Sequence, residues 1–261
     1  MNPMDRHKKE YDNRMLALKE HEFASAHDLS ESETTYKGLP ARVLGRAYFD
    51  IDRDINSRKY RRYGFKGGRG SLKSSYCGLK VVDQIMLNPS MCAMAVRELA
   101  DDLRDSVYAQ IVWAIDELGL SNLFKCTTNP MQILRKETGQ IIYFRAGNKP
   151  SKIKSIKPPK GMTIGILWIE EADQISGMEA VRNIMQSCFR GVGNDDGITL
   201  YSYNTPVSQA HYINKESLVD DPTRIIHYSS YLDAPSVWHQ YRPLARTGVH
   251  WLAIFKEIRL N

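Results

Sequence analysis

Nine consecutive residues, Gly67-Gly68-Arg69-Gly70-Ser71-Leu72-Lys73-Ser74-Ser75, combine the side-chain types that hold a polyphosphate. Glycines let successive backbone N–H groups turn inward around phosphate oxygens, and a helix starting at the end of such a loop adds partial positive charge. Lys73 is placed to reach the β- and γ-phosphates of a nucleotide, and the Ser74 hydroxyl to ligate Mg²⁺. The pattern G-x-x-x-x-G-K-[ST] is met except at Leu72, which stands where the last glycine is expected. If that position needs a positive φ, leucine there costs on the order of 1 kcal/mol or more. Without further support the stretch also reads as a glycine-rich basic turn.

Hydrolysis of the bound nucleotide needs a carboxylate at a strand end to hold the metal and a second to orient the attacking water. Glu170 and Glu171 follow the apolar run Ile164–Ile169 and supply both, Glu170 on the metal side and Glu171 as general base. Acidic residues also end buried strands simply as a solvated end or a helix cap. The 97-residue separation of Lys73 and Glu170 fits one or two intervening strands of one sheet. A third segment, Leu200–Pro206, is a strand ending in small polar groups. It could bring Ser202 or Asn204 within reach of the γ-phosphate or the water, and so report hydrolysis to the rest of the chain.

These residues need a framework, and the hydrophobic pattern predicts one. A short strand around Tyr63 and Phe65 enters the glycine-rich turn, a helix runs from Lys73 to about Leu87, and Asn88-Pro89 closes it. Met91–Val96 reads as a buried strand. Asp101 and Asp102 open an amphipathic helix with Leu103, Val107, Ile111, Ile115 and Leu118 on one face, ended by Gly119. Phe124–Thr128, Gln132–Leu134 and Ile141–Phe144 read as strands, with a Glu-Thr-Gly-Gln turn joining the last two. Gly177–Phe189 is helix-like, and Ile198–Tyr203 and Arg224–Tyr231 are strand-like. Strands alternating with helices, without repeats, predict an α/β fold with a mostly parallel sheet covered on both faces. Residues 1–40 read as a helical arm and linker.

The 261 residues carry 36 Lys+Arg and 30 Asp+Glu, for a net charge of +6. Residues 41–80 alone hold 11 basic and 3 acidic side chains. A second basic stretch comprises Arg145, Lys149, Lys152, Lys154, Lys157 and Lys160, with no acid among them. Such patches attract a nucleotide or a nucleic-acid backbone, though a solvated loop is an equal reading of the second. The cysteines, Cys77, Cys92, Cys126 and Cys188, lack metal-ligand or disulfide-framework spacing, and no apolar run approaches a bilayer span. Membrane insertion and secretion are not expected.

At these residues the chain resembles the large subunit of tailed-phage terminases, the DNA-packaging motor, and above all the branch found in PBSX-like prophages. The stretches YGFKGGRGSLKSS, IYFRAGNKPSKIKSI, GILWIEEADQI and LYSYNTP carry the resemblance, which covers about residues 44–235. It implies a RecA-like P-loop ATPase of the additional-strand catalytic-glutamate type spanning 41–235, using ATP and Mg²⁺. Residues Gly67–Ser75 then form the Walker A motif, Glu170 and Glu171 Walker B, and Ser202 with Asn204 the coupling motif, while Arg69 acts on the γ-phosphate. The implied partners are double-stranded DNA gripped by its backbone through Lys149, Lys152, Lys154, Lys157 and Lys160, the portal protein, the terminase small subunit and further copies in a ring. The setting would be the bacterial host cytoplasm.

The family's metal-dependent nuclease domain is not expected here, since only about 55 residues follow Pro206. From about His239 the resemblance ceases, and residues 236–261 read as an unmatched tail of a motor domain cut short. The rival readings are a helicase-like P-loop ATPase and a non-catalytic prophage remnant.

Overall fold

In the computed structural model, residues 36–190 and 197–233 are described. The chain divides into Met1–Lys37 and Gly38–Asn261, and every element below belongs to the second unit. The expected helical arm falls outside the described residues up to residue 35, as does the tail 236–261.

In chain order the elements are α1 (Phe49–Asn56), β1 (Arg62–Gly67), α2 (Lys73–Leu87), β2 (Met91–Arg97), α3 (Ala109–Glu117), β3 (Phe124–Thr128), β4 (Met131–Arg135), β5 (Ile141–Ala146), α4 (Pro150–Lys154), β6 (Thr163–Glu170), α5 (Met178–Cys188), β7 (Ile198–Tyr203), α6 (Tyr212–Ser217) and β8 (Arg224–Ser229). The strands form one sheet in the order β3-β4-β5-β2-β6-β7-β1-β8. Only β4 runs antiparallel to its neighbours, as the hairpin element between β3 and β5. The remaining pairings are parallel.

Alternation along the central strands sorts the core into two layers. Phe65, Ala95, Trp168 and Leu200 point to the face covered by α1, α2 and α3. Met94, Leu167, Ile169 and Tyr201 point to the opposite face, covered by α4, α5 and α6. Trp168, Phe65 and Leu200 are fully buried, and aliphatic or phenyl side chains such as the last two each contribute roughly 1.5–3 kcal/mol on full burial. A buried polar cluster ties α1 to α2. Lys80, without solvent exposure, donates to Asp52 at 2.9 Å, Asp83 at 2.7 Å and Asn56 at 2.6 Å.

The expected strands and principal helices are present, and α2 runs over the expected residues. Three local differences stand out. Asp101 and Asp102 stay outside α3, which is entered through a π-helical turn at Arg104–Tyr108, and Asp102 lies 3.5 Å from Arg97. Strand β8 ends at Ser229, because the Ser230 N–H donates to the Asp233 carboxylate and the chain turns there. The basic stretch after β5 contains a short helix, with Pro150 at its first turn, where the missing N–H is no loss, and Ile153 buried.

Candidate functional site

All parallel strands of the central sheet end on the same edge, which collects the chemistry-bearing residues. Strand β7 lies between β1 and β6. The glycine-rich loop after β1 and the acidic pair after β6 therefore flank β7 and are not on adjacent strands. Residues two apart share a face, so Trp168 and Glu170 on β6, and Leu200, Ser202 and Asn204 along and beyond β7, all turn toward α2. Odd-numbered neighbours such as Ile169 and Tyr203 go to the other layer.

The loop itself has the geometry that its sequence calls for. Gly70 has φ +75° and Leu72 φ +63°, so the position that would be glycine does require the left-handed region. Gly67 has no room for a side chain, since a Cβ would collide with the carbonyl of Ser229 and the hydroxyl of Ser71. Lys73 opens α2 and is 8% exposed. Its Nζ donates to the Gly68 carbonyl at 3.1 Å and to Asn204 Oδ1 at 2.9 Å. Burial lowers its pKa, opposed by the nearby Glu170 carboxylate.

Glu170 is buried and accepts hydrogen bonds from two serines, Ser74 at 2.6 Å and Ser202. Ser202 in turn accepts from the Trp168 indole at 2.9 Å. Burial pushes the Glu170 carboxyl up, and the two serine donors and Lys73 pull it back. Glu171 leaves β6 in a left-handed conformation, φ +50°, and turns to Arg97 Nη1 at 2.6 Å. A cleft of about 250 Å³ joins these groups, lined among others by Arg69, Gly70, Lys73, Glu170, Glu171 and Asn204.

The two expected coupling residues therefore do different things. Asn204 reaches Lys73, whereas the Ser202 hydroxyl, also on the cleft lining, donates to Glu170 and accepts from Trp168. Arg69 is exposed at the cleft wall, and Ser71, Leu72 and Ser75 line it as well. Lys149, Lys152, Lys154, Lys157 and Lys160 are all exposed, along and beyond α4, and none lines the cleft.

Sequence reasoning missed two residues. Arg97, the last residue of β2 and 7% exposed, holds Glu171; a cation closing an otherwise apolar strand was its signal. Tyr48, before α1, contacts the loop from behind and carried no signal, because nothing in the sequence joins it to a segment some twenty residues on.

The donor set fits a Mg-nucleotide. Glycines make the cradle, the buried ammonium neutralises phosphate charge, and a hydroxyl beside a carboxylate suits a hard cation that keeps several waters. Among the described residues no group of three or more His, Cys, Asp and Glu could hold a metal, so Ser74 and Glu170 would share it with phosphate and water.

The profile of the phage terminase large subunit family matches residues 61–241. The chain belongs to that family. The terminase large subunit of Bacillus phage SPP1 is 30% identical over 192 residues, 72% of this chain and 45% of that protein. The terminase chain thus spans about half the length of this curated relative. The large terminase ATPase domain of Thermus phage P74-26 shares its fold, with a TM-score of 0.54 at 14% identity over 76% of this chain and 84% of that one. The large terminase of a thermophilic bacteriophage, solved in complex with ATP-gamma-S, gives 0.53 at 12% identity over 76% of this chain and 49% of that one. The family match encloses β1 to β8 and every cleft residue. The fold is the α/β, RecA-like fold of large-terminase ATPase domains. Among the described residues of this terminase chain, no helix is long and apolar enough to cross a membrane.

Proposed function

We propose that residues 41–235 form the ATPase domain of a DNA-packaging motor, hydrolysing ATP to drive viral double-stranded DNA into a procapsid. The observation that carries this reading is the convergence of Lys73, Ser74, Glu170, Glu171 and Asn204 on one cleft from loops after β1, β6 and β7. The thermophilic-phage relative, solved with ATP-gamma-S, supports a nucleotide as the occupant.

Mg²⁺ held by Ser74 and Glu170 would supply charge compensation for the phosphates. The chain's own residues do the rest. Lys73 exchanges the Gly68 carbonyl for phosphate oxygens and keeps its short path to Asn204, so a change at the γ-phosphate alters what the end of β7 is bound to. Glu171 takes the proton from the attacking water as general base. To do so its carboxylate must point into the cleft, and Arg97 governs how far it is free to turn. Arg69, exposed at the wall, acts on the γ-phosphate.

The exposed lysines from Lys149 to Lys160 contact DNA phosphates without reading bases. The portal protein, the terminase small subunit and further copies of this chain in a ring are the partners such a motor requires, in the host cytoplasm. DNA-stimulated, Mg²⁺-dependent release of phosphate from ATP by the purified chain tests the reading. Absence of release from a chain that unfolds cooperatively would refute it.

A further inference from the structure

Tyr48 is 1% exposed and lies behind the phosphate loop. Its ring stacks on Tyr76 of α2 at 4.5 Å between centroids and packs against His227 of β8 at 4.8 Å. Its hydroxyl donates to the carbonyl oxygen of Ser71 at 2.6 Å. A phenol has one proton to give, so the 2.9 Å contact to Ser229 Oγ is a bond that Tyr48 accepts. Burial raises the Tyr48 pKa and keeps that proton in place. The ring cannot drift, since the Lys80 cluster fixes α1, which begins at the next residue, to α2.

The Ser71 carbonyl and the Leu72 N–H belong to one planar trans peptide and point in opposite directions. Holding the carbonyl back toward Tyr48 therefore aims the Leu72 N–H forward, on the side of the cleft that Leu72 lines. That orientation forces Leu72 to φ +63°. Flipping the peptide plane by about 180° would take Leu72 to about −117°, a comfortable value for leucine. The flip would also turn a carbonyl toward the phosphates in place of an N–H. With glycine at this position the two orientations would differ little in strain; with leucine the loop is biased toward the wrong one.

Resting on the nucleotide reading above, we propose that Tyr48 is a positioning residue that holds the Ser71–Leu72 peptide in the phosphate-binding orientation and offsets the leucine at the glycine position. It never touches the nucleotide. Its effect is felt through a backbone N–H that does, so it concerns phosphate rather than base.

The test is a two-by-two cycle in the full chain, Tyr48→Phe, Leu72→Gly and the double variant, read as the dissociation constant of a fluorescent ADP analogue with Mg²⁺ and as its displacement by inorganic pyrophosphate. Tyr48→Phe should weaken both ligands by roughly tenfold, the scale of one hydrogen bond combined with left-handed strain. The double variant should recover most of that loss, because glycine removes the reason to flip. Ser229→Ala, which leaves the Tyr48 donor on Ser71, should bind within about twofold of wild type. A purely structural role for Tyr48 would lower the unfolding temperature of the ligand-free protein without a rescue by Leu72→Gly. Unchanged binding in Tyr48→Phe, or a loss the double variant does not recover, overturns the proposal. A wild-type chain that binds neither ligand overturns the nucleotide reading itself, so the two failures are distinguishable.

Discussion

Replacing Lys73 by alanine separates binding from folding. In the ligand-free protein Lys73 is 8% exposed, and among the described residues its ammonium donates to two neutral oxygens, Gly68 O at 3.1 Å and Asn204 Oδ1 at 2.9 Å. Burial lowers its pKa, so its charge is held at a cost, offset in part by Glu170. Deleting it should change ligand-free stability by no more than about 1 kcal/mol. Deleting it in the complex removes a charge-assisted contact to phosphate, about 1.5–3 kcal/mol, or roughly a 10- to 150-fold weaker dissociation constant. At ATP near 100 times the wild-type constant, binding stabilises the wild type by about 2.7 kcal/mol. A variant 100-fold weaker gains about 0.4 kcal/mol. For a domain of this size each kcal/mol moves the midpoint by about 2–4 °C, so wild type should shift by about 5–11 °C and Lys73→Ala by about 1–2 °C. Differential scanning fluorimetry with and without ATP and Mg²⁺ measures both. Equal shifts in the two proteins would refute the assignment of the loop, and a collapse of the ligand-free midpoint would refute the reasoning about cost.

Burial raises the Glu170 carboxyl above its ordinary range, so the folded state holds that proton more tightly than the unfolded chain does. Its contribution to stability is full below the unfolded pKa and is lost as pH rises through the raised folded value. Glu170→Gln should therefore gain stability relative to wild type as pH rises above the ordinary carboxylate range, measured by urea unfolding without Mg²⁺, and should lose Mg²⁺-enhanced nucleotide binding; a pH-independent difference would contradict this. Arg97→Ala removes the partner 2.6 Å from Glu171 and should lower kcat by roughly tenfold while nucleotide affinity stays within about threefold, since the ion pairs of Arg97 go to Glu171 and Asp102 and not to the phosphate loop, in steady-state kinetics beside a binding titration. Neutralising Lys152, Lys154 and Lys157 together should reduce the slope of log K against log salt for duplex DNA by about 2–3, at about 0.9 per phosphate contact; an unchanged slope would move the DNA surface to Arg58–Arg62.

Much of this was legible because local rules sufficed. Asn88-Pro89 fixed the end of α2, and Glu-Thr-Gly-Gln marked the β4–β5 turn. The loop, the acidic pair and the β7 end could each be found by residue type and spacing. Strand order could not, since β1 pairs with β7 and β8 across more than a hundred residues and parallel partners leave no turn between them. Separation along the chain also hid the partners of Tyr48 and Arg97, which are Ser71 and Glu171. The difference between Ser202 and Asn204 depends on which hydroxyl Trp168 occupies, a contact of the core that no motif records.

The central claim is that this cleft turns over ATP with Glu171 as its base. Steady-state phosphate release by wild type and Glu171→Gln, each shown to bind ATP, tests it most directly. The amide keeps the shape but cannot take a proton, so wild type should hydrolyse ATP in the presence of Mg²⁺ and Glu171→Gln should be slower by about a hundredfold or more at similar affinity. Hydrolysis by Glu171→Gln at the wild-type rate, or a wild type that binds ATP and releases no phosphate, would contradict the account.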